Sequence, residues 1–270
     1  MMYGAFQCLL ATKPASRMAT TSSSSSSTLA DNIDTNGSKS LRIKSACLFF
    51  SYAISVFAGG YAHYNYHGVD DLNTTSFRIL WTICVGSVTA AGGFMGACGS
   101  EIYKRMNLQA PDDKVRFRMV HLHDILWTIY GGYMTWICIT GAMSYKRPAC
   151  DIFVAGTSQF IPTAYCALVV LSIRWPDAEA VLEGKYHGET SFLVQSITHK
   201  VRCIFYIGFF LNAPLLPTYP FYVQHTSLSL GVVNALLHLN LTVAWGMQAK
   251  SLCLFCKAFN LVERDEKKDE

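Results

Sequence analysis

The chain of 270 residues is 51% hydrophobic and only 15% charged, with 22 Lys and Arg against 18 Asp and Glu. Soluble domains carry about 25% charged residues, so this composition argues against an ordinary soluble domain. The formal net charge of +4 is modest and the basic residues form no continuous stripe, which argues against nucleic acid as a partner.

The two ends of the chain are predicted to lie outside the folded part. The N-terminal tract TTSSSSSSTLADNIDTNGS has almost nothing to bury, so we predict a disordered tail over residues 1–43. A charged cytosolic tail is predicted over residues 258–270. The segment between them, 44–257, is predicted to be a transmembrane helical domain.

Six apolar stretches follow the tail, and each is close to the roughly 20 residues that a helix needs to cross a bilayer. The predicted spans are 45–66, 77–99, 119–143, 152–174, 201–221 and 226–249. Three prolines in NAPLLPTYP must kink or end the fifth span. The predicted fold class is therefore an all-α polytopic membrane bundle of six transmembrane helices.

Lys and Arg residues in the connecting segments predict the orientation of these spans. They are concentrated before the first span, after the second, after the fourth and after the sixth, whereas the opposite loops are poorer in them. Both termini are therefore predicted to be cytosolic, in the plasma membrane or an endomembrane. The sequence does not say which organelle.

The second span is rich in glycine. Gly92 and Gly96 have the small-xxx-small spacing that lets another helix approach closely. Tight packing within the chain is the favoured interpretation, and a partner helix in another protein is the alternative.

Ionisable groups within a bilayer are costly, so each is a candidate for function. They fall into three predicted layers: an outer one with His63 and His225, a middle one with His238, and an inner one with His121 and Asp124. Asp124 lies three residues after His121, so a helix would place both on one face. Such a pair could transfer protons or bind a metal, or could simply contact water and headgroups.

His238 lies about a dozen residues into the sixth predicted span, with Asn234 one turn earlier on the same face. A histidine at this depth needs a partner. That partner is most often a hydroxyl or an amide on a neighbouring helix. A metal or a proton-transfer role is the alternative.

The segments GGYAH at the end of the first span and NALLH in the last span resemble the ceramidase-like membrane hydrolases, the alkaline ceramidases and their relatives. The resemblance implies a seven-helix scaffold that lacks one span, a lipid substrate, and zinc bound by His63 and His238. Asn234 stands where that family has a further histidine, and Gly59 stands where it has a serine. The third zinc ligand is then expected to be Asp124 or His225, and Asp124 is the candidate catalytic residue.

Three functions remain open for a multi-pass membrane protein of this kind, and the sequence leaves open whether it is an enzyme. A ceramidase-like lipid hydrolase scaffold, active or inactive, requires a third ligand near His63 and His238. A transporter of small solutes or protons requires the polar layers to line one connected channel. A structural or assembly subunit of a membrane complex requires neither.

Overall fold

A computed structural model describes residues 28–66, 70–109, 119–144, 149–172, 189–213, 215, 221–222, 224 and 227–269. These residues form six long helices and one short 3-10 turn at Asp71–Asn73, and they contain no β-strand. The helices are α1 (Thr28–Asn65), α2 (Thr75–Gln109), α3 (Asp124–Ser144), α4 (Ala149–Ser172), α5 (Glu189–Asn212) and α6 (Leu230–Asp269). The prediction of an all-helical fold is confirmed.

Three helices are long and apolar enough to cross a membrane. These segments are Lys39–Asn65 in α1, Thr75–Lys104 in α2 and Val154–Ser172 in α4. The chain therefore has the character of a membrane protein. Helices α3, α5 and α6 overlap the other three predicted spans. Their described residues are not long and apolar enough to be counted as membrane-spanning.

The helix boundaries differ from the predicted ones at several places. α1 begins at Thr28, inside the predicted tail, and residues 1–27 lie outside the described residues. α5 begins earlier than predicted and ends at Asn212. The predicted fifth span ran on to residue 221, through prolines that lack the N–H a helix interior needs.

The third span also starts later than predicted, at Asp124, which leaves His121 outside the helix. The backbone there bonds to side chains of other helices. Ser100 Oγ donates to the Leu122 carbonyl at 2.5 Å, and Tyr165 Oη accepts from the Leu122 N–H at 3.3 Å. Because these groups already have partners, the segment does not need helical hydrogen bonds. The prediction that His121 and Asp124 share a helical face is therefore wrong.

Helix α2 is the centre of the bundle and packs against α1, α3 and α4, while α6 packs against α5 and α1. Glycines allow the close approaches. A Cβ on Gly93 would lie 2.9 Å from the Cα of Gly131 in α3, and one on Gly92 would lie 3.1 Å from the Ser158 carbonyl oxygen in α4. A Cβ on Gly96 would overlap the indole of Trp127. The small residues of α2 therefore contact helices of the same chain.

Candidate ligand-binding cavity

Two histidines from distant parts of the sequence meet at one end of the bundle. His63, near the end of α1, and His238, in α6, have ring centroids 5.1 Å apart with the rings nearly perpendicular. The side-chain amide of Asn234 lies between the helices, with its Nδ2 3.4 Å from His63 Nδ1. The sequence placed His63 and His238 in different layers, and the structure corrects this.

The two histidines lie at the same depth because of where α6 begins along the bundle axis. The predicted span began at residue 226, whereas α6 begins at Leu230. His238 is therefore only about 12 Å from the helix start, at 1.5 Å per residue. α1 extends to Asn65, so its His63 is a short distance from its own end. The two rings consequently lie at the same depth.

His238 has a defined tautomer. Its Nδ1 lies 2.8 Å from the backbone carbonyl oxygen of Asn234. Because a carbonyl oxygen can only accept, Nδ1 carries the proton and donates it. In the neutral ring Nε2 therefore has its lone pair available. This orientation of an imidazole by a carbonyl is common where the other nitrogen contacts a ligand or a metal.

The Nε2 atom of His238 lies against Gly59, which leaves no room for a side chain there. A Cβ at Gly59 would lie 2.9 Å from this atom and 3.0 Å from Cys84 Sγ, so the two atoms are no more than about 6 Å apart. The Cys84 thiol also lies 3.5 Å from Ser55 Oγ, one turn before Gly59. A histidine and a thiol therefore lie where any other residue would have its side chain, and the Ser55 hydroxyl adjoins the thiol.

These residues line a cavity of about 110 Å³. Five helices enclose it, namely α1, α2, α4, α5 and α6. Along α6 it extends from Asn234 to Trp245, which is about 16 Å. Most of the wall is apolar, and the described polar residues that line it are Ser55, His63, Cys84, Gln159, Thr163, Asn212, Asn234 and His238, with the indoles of Trp81 and Trp245.

Asp124, the sequence candidate for catalysis, lies elsewhere. Its Oδ2 is 2.7 Å from Lys44 Nζ, which is also 2.9 Å from Glu101 Oε2. Lys44 precedes His63 by nineteen residues of α1, or roughly 28 Å along the axis. The structure thus places Asp124 in an ion cluster that joins α1, α2 and α3, far from the two histidines.

The fit of zinc to this cavity can be judged from its donors. A catalytic zinc takes three protein ligands, usually imidazole, thiolate or carboxylate. Among the described residues no group of three His, Cys, Asp and Glu side chains converges in this way. His225, the other candidate ligand, lies outside the described residues. The described cavity therefore supplies two imidazoles, the Cys84 thiol and the Asn234 amide, but no three of its ligand groups converge, so the zinc site is incomplete.

Several residues of the cavity were not identified from the sequence. Cys84, Trp81 and Trp245 stand in apolar runs, where such residues are most often simple packing residues. Ser55 and Gln159 are polar residues within predicted spans, and that was the one available signal. Comparisons of the chain with family models, with curated proteins and with solved structures found no match. The site must be interpreted from its own geometry.

Proposed function

We propose that the chain is an integral membrane protein with six spanning helices that binds a lipid-like molecule in the cavity beside His63 and His238. Large apolar side chains point outward from each of the six helices, as expected for surfaces that contact acyl chains. Examples are Phe57 of α1, Ile79 of α2, Trp136 of α3, Leu168 of α4, Phe210 of α5 and Leu239 of α6. The orientation predicted from Lys and Arg, with both termini cytosolic, belongs to this proposal.

The observation that carries the proposal is the amphipathic character of the cavity. Its apolar wall includes Val85 and Val88 of α2 and Leu237 and Leu241 of α6. Three of its polar residues, His63, Cys84 and Asn234, lie close to His238. Sites for small molecules typically combine a mostly apolar wall with a few polar groups that fix orientation. A molecule with a small polar end and an apolar chain matches this arrangement, and because the cavity measures only about 110 Å³, most of a long chain would extend out of it between α4 and α5.

The cavity is also close to the outer surface of the bundle between α4 and α5. Helix α5 packs far less closely against α4 than against α6. Phe160 lines the cavity and is nevertheless 51% exposed, so the wall is one side chain thick at this point. Its ring lies 6.4 Å from that of Phe209, which also lines the cavity. A lipid chain could enter from the bilayer by displacing these rings.

The resemblance to ceramidase-like hydrolases fits a lipid-binding scaffold of this kind, because both of its histidines border the cavity. Hydrolysis would need a complete zinc site, and the described residues supply two of three ligands. Lipid binding is therefore the function that the geometry supports best. Zinc bound by His63 and His238 stays a prediction that depends on a ligand such as His225.

Transport is less well supported, because the described interior is filled below the cavity. Leu48, Phe49 and Leu252 are fully buried between the cavity and the Lys44 cluster. They pack with Tyr52, whose ring stacks on Trp245 at 4.1 Å. A connected polar path through this part of the chain would require these side chains to separate.

The test is binding of a fluorescent long-chain lipid analogue to the full-length protein purified in detergent. Leu241→Trp adds bulk inside the cavity and should weaken binding on the order of tenfold, since overpacking costs about 1–3 kcal/mol. Leu239→Trp is the matched control, because Leu239 lies on the outer face of the same helix. Saturable binding that is equal in both variants would place the lipid elsewhere. A lack of saturable binding to the wild type would refute the proposal.

A further inference from the structure

Two ring nitrogens at the histidine end of the cavity are available to a ligand. The Nδ1 atoms of His63 and His238 contact the side-chain amide and the backbone carbonyl of Asn234, respectively. The Nε2 atoms of both rings make no hydrogen bond with the described residues. Unlike Nε1 of Trp81 and Trp245, they are not shielded from a molecule the size of water. Because both histidines line the cavity, a ligand there can contact these two nitrogens.

The two rings carry their protons on opposite nitrogens. His238 Nδ1 donates to the Asn234 carbonyl oxygen at 2.8 Å, so His238 Nε2 is an acceptor. His63 Nδ1 lies 3.4 Å from Asn234 Nδ2, and because an amide nitrogen only donates, this Nδ1 accepts. The proton of the neutral His63 ring is then on Nε2, which is a donor. Asn234 thus orients one acceptor and one donor at the same depth.

The acceptor and the donor are close enough to bind one group. The two imidazole centroids are 5.1 Å apart. Hydrogen bonds of 2.7–3.2 Å let one oxygen join two nitrogens that are up to roughly 6 Å apart. His238 Nε2 also lies against Gly59, which is one helical turn before His63 on α1. A single oxygen at this end of the cavity can therefore contact both rings.

The polar side chains next to the two rings are already engaged. Ser55 Oγ and Cys84 Sγ contact each other at 3.5 Å. Gln159 donates from Nε2 to the Val88 carbonyl. Its Oε1 accepts from Tyr52 Oη at 3.2 Å. The two imidazoles are therefore the groups that determine which polar end fits here.

Charge limits the ligand further. The described residues that line the cavity include no Asp, Glu, Lys or Arg. A carboxylate or an ammonium group would be removed from water without an opposite charge, which is strongly unfavourable. The polar end that fits is small, uncharged and able both to donate and to accept. A hydroxyl is the smallest lipid group that meets these conditions.

We propose that the cavity binds the hydroxyl end of an uncharged lipid alcohol, which donates to His238 Nε2 and accepts from His63 Nε2. This inference rests on the proposed lipid-binding function and names its ligand class. A hydroxyl fits within the cavity of about 110 Å³, and the hydrocarbon chain extends out of it between α4 and α5, beside Phe160 and Phe209. Selectivity then comes from the hydroxyl proton and from the absence of charge on the ligand.

Three probes with the same hydrocarbon chain test this selectivity. Oleyl alcohol donates and accepts, oleyl methyl ether only accepts, and oleate is an anion. Each is measured as a competitor of the fluorescent lipid analogue on the full-length protein, at one detergent concentration and about pH 8, where imidazole in water is neutral. We expect the alcohol to bind roughly 3- to 10-fold more tightly than the ether, the effect of one neutral hydrogen bond. Oleate should bind on the order of tenfold more weakly than the alcohol.

Histidine variants assign the two hydrogen bonds. His238→Phe removes the acceptor, so the preference for the alcohol over the ether should disappear. His63→Phe removes the donor that both probes use, so both should bind roughly 3- to 10-fold more weakly while the preference remains. Leu239→Phe is the control, because Leu239 is 61% exposed on the outer face of α6. Thermal unfolding in detergent establishes that each variant is folded.

Nitrogen NMR of the wild-type protein labelled with ¹⁵N-histidine gives a test that needs no variant. The spectrum should show His238 protonated on Nδ1 and His63 protonated on Nε2. Adding oleyl alcohol should shift the Nε2 signal of His238, because its lone pair then accepts a hydrogen bond. The same tautomer in both rings, or no shift of this signal with the alcohol bound, would refute the inference.

The outcomes separate the two proposals. If the fluorescent analogue does not bind saturably to the wild type, the lipid-binding function fails, and the inference fails with it. If the analogue binds but the alcohol and the ether compete equally, or oleate competes best, lipid binding stands and the ligand class is wrong. A preference for the alcohol that survives in folded His238→Phe would also overturn the inference, since the bulk of the ether methyl group would then be its cause.

Discussion

Replacing Gly59 by alanine is the most direct test of the geometry around His238. Gly59 is buried in α1, and the added Cβ would lie 2.9 Å from His238 Nε2 and 3.0 Å from Cys84 Sγ. His238 cannot move away freely, because its Nδ1 is bound to the Asn234 carbonyl. The neighbouring Gly60 is exposed, and a Cβ there would meet nothing within 4 Å. The two adjacent glycines thus form a matched pair.

The expected size of the effect follows from two opposing contributions. Alanine is favoured over glycine within a helix by up to about 1 kcal/mol. Overpacking a filled site costs about 1–3 kcal/mol. Gly60→Ala should therefore be neutral or slightly stabilising, whereas Gly59→Ala should lower the free energy of unfolding by roughly 1–2 kcal/mol. Gly59→Ala should also weaken lipid binding, because the new methyl group pushes against His238 and Cys84, which line the cavity.

The assay is thermal unfolding of the purified variants in one detergent, followed by the loss of monodisperse protein on heating. For a chain of this size, a change of 1 kcal/mol corresponds to roughly 2–4 °C in melting temperature. In the background of His238→Ala, the penalty of Gly59→Ala should shrink, because the opposing ring is gone. If Gly59→Ala proves as stable as Gly60→Ala, the close approach of α1 and α6 described above is wrong.

Three further predictions concern other contacts. Gly131→Ala should lower the melting temperature, because a Cβ on Gly131 would lie 2.8 Å from the α2 backbone. Gly132→Ala should not, because a Cβ there would meet nothing within 4 Å. Equal melting temperatures of the two variants would contradict the close packing of α3 on α2. Lys44→Met should destabilise the protein by on the order of 3 kcal/mol, since it removes the ammonium group that pairs with both the buried Glu101 carboxylate and Asp124. Adding Glu101→Gln should recover part of that loss, and a fully additive double variant would disprove the pairing. Elemental mass spectrometry should find less than one zinc per purified chain. If it finds one zinc per chain, and this zinc is lost when either His63 or His238 becomes alanine, the cavity is a hydrolytic zinc site and the proposal of lipid binding alone is wrong.

Much of the architecture could be read from composition and local pattern. Helix α2 is the clearest case, because the apolar run after Thr75 has to satisfy its backbone hydrogen bonds internally once it is buried or in lipid. His63 and His238 were identified as candidates by the same reasoning, since an imidazole in an apolar run needs a partner. The boundary errors arose where side chains such as Ser100 and Tyr165 bond the backbone, and that depends on other helices.

The partner of each polar group was decided only by the tertiary structure. Whether His63 meets His238 depends on how far α6 is shifted along α1, and that shift is set by contacts such as the stacking of Tyr52 on Trp245. Asp124 has one local contact, with Nδ1 of His123 at 3.0 Å, but its other partner is Lys44, eighty residues away. Sequence periodicity reports which face a residue lies on and carries no information about axial shift between helices. The apolar spans and the need for buried partners therefore follow from the sequence, whereas the cavity exists only because the packed helices bring those groups to one depth.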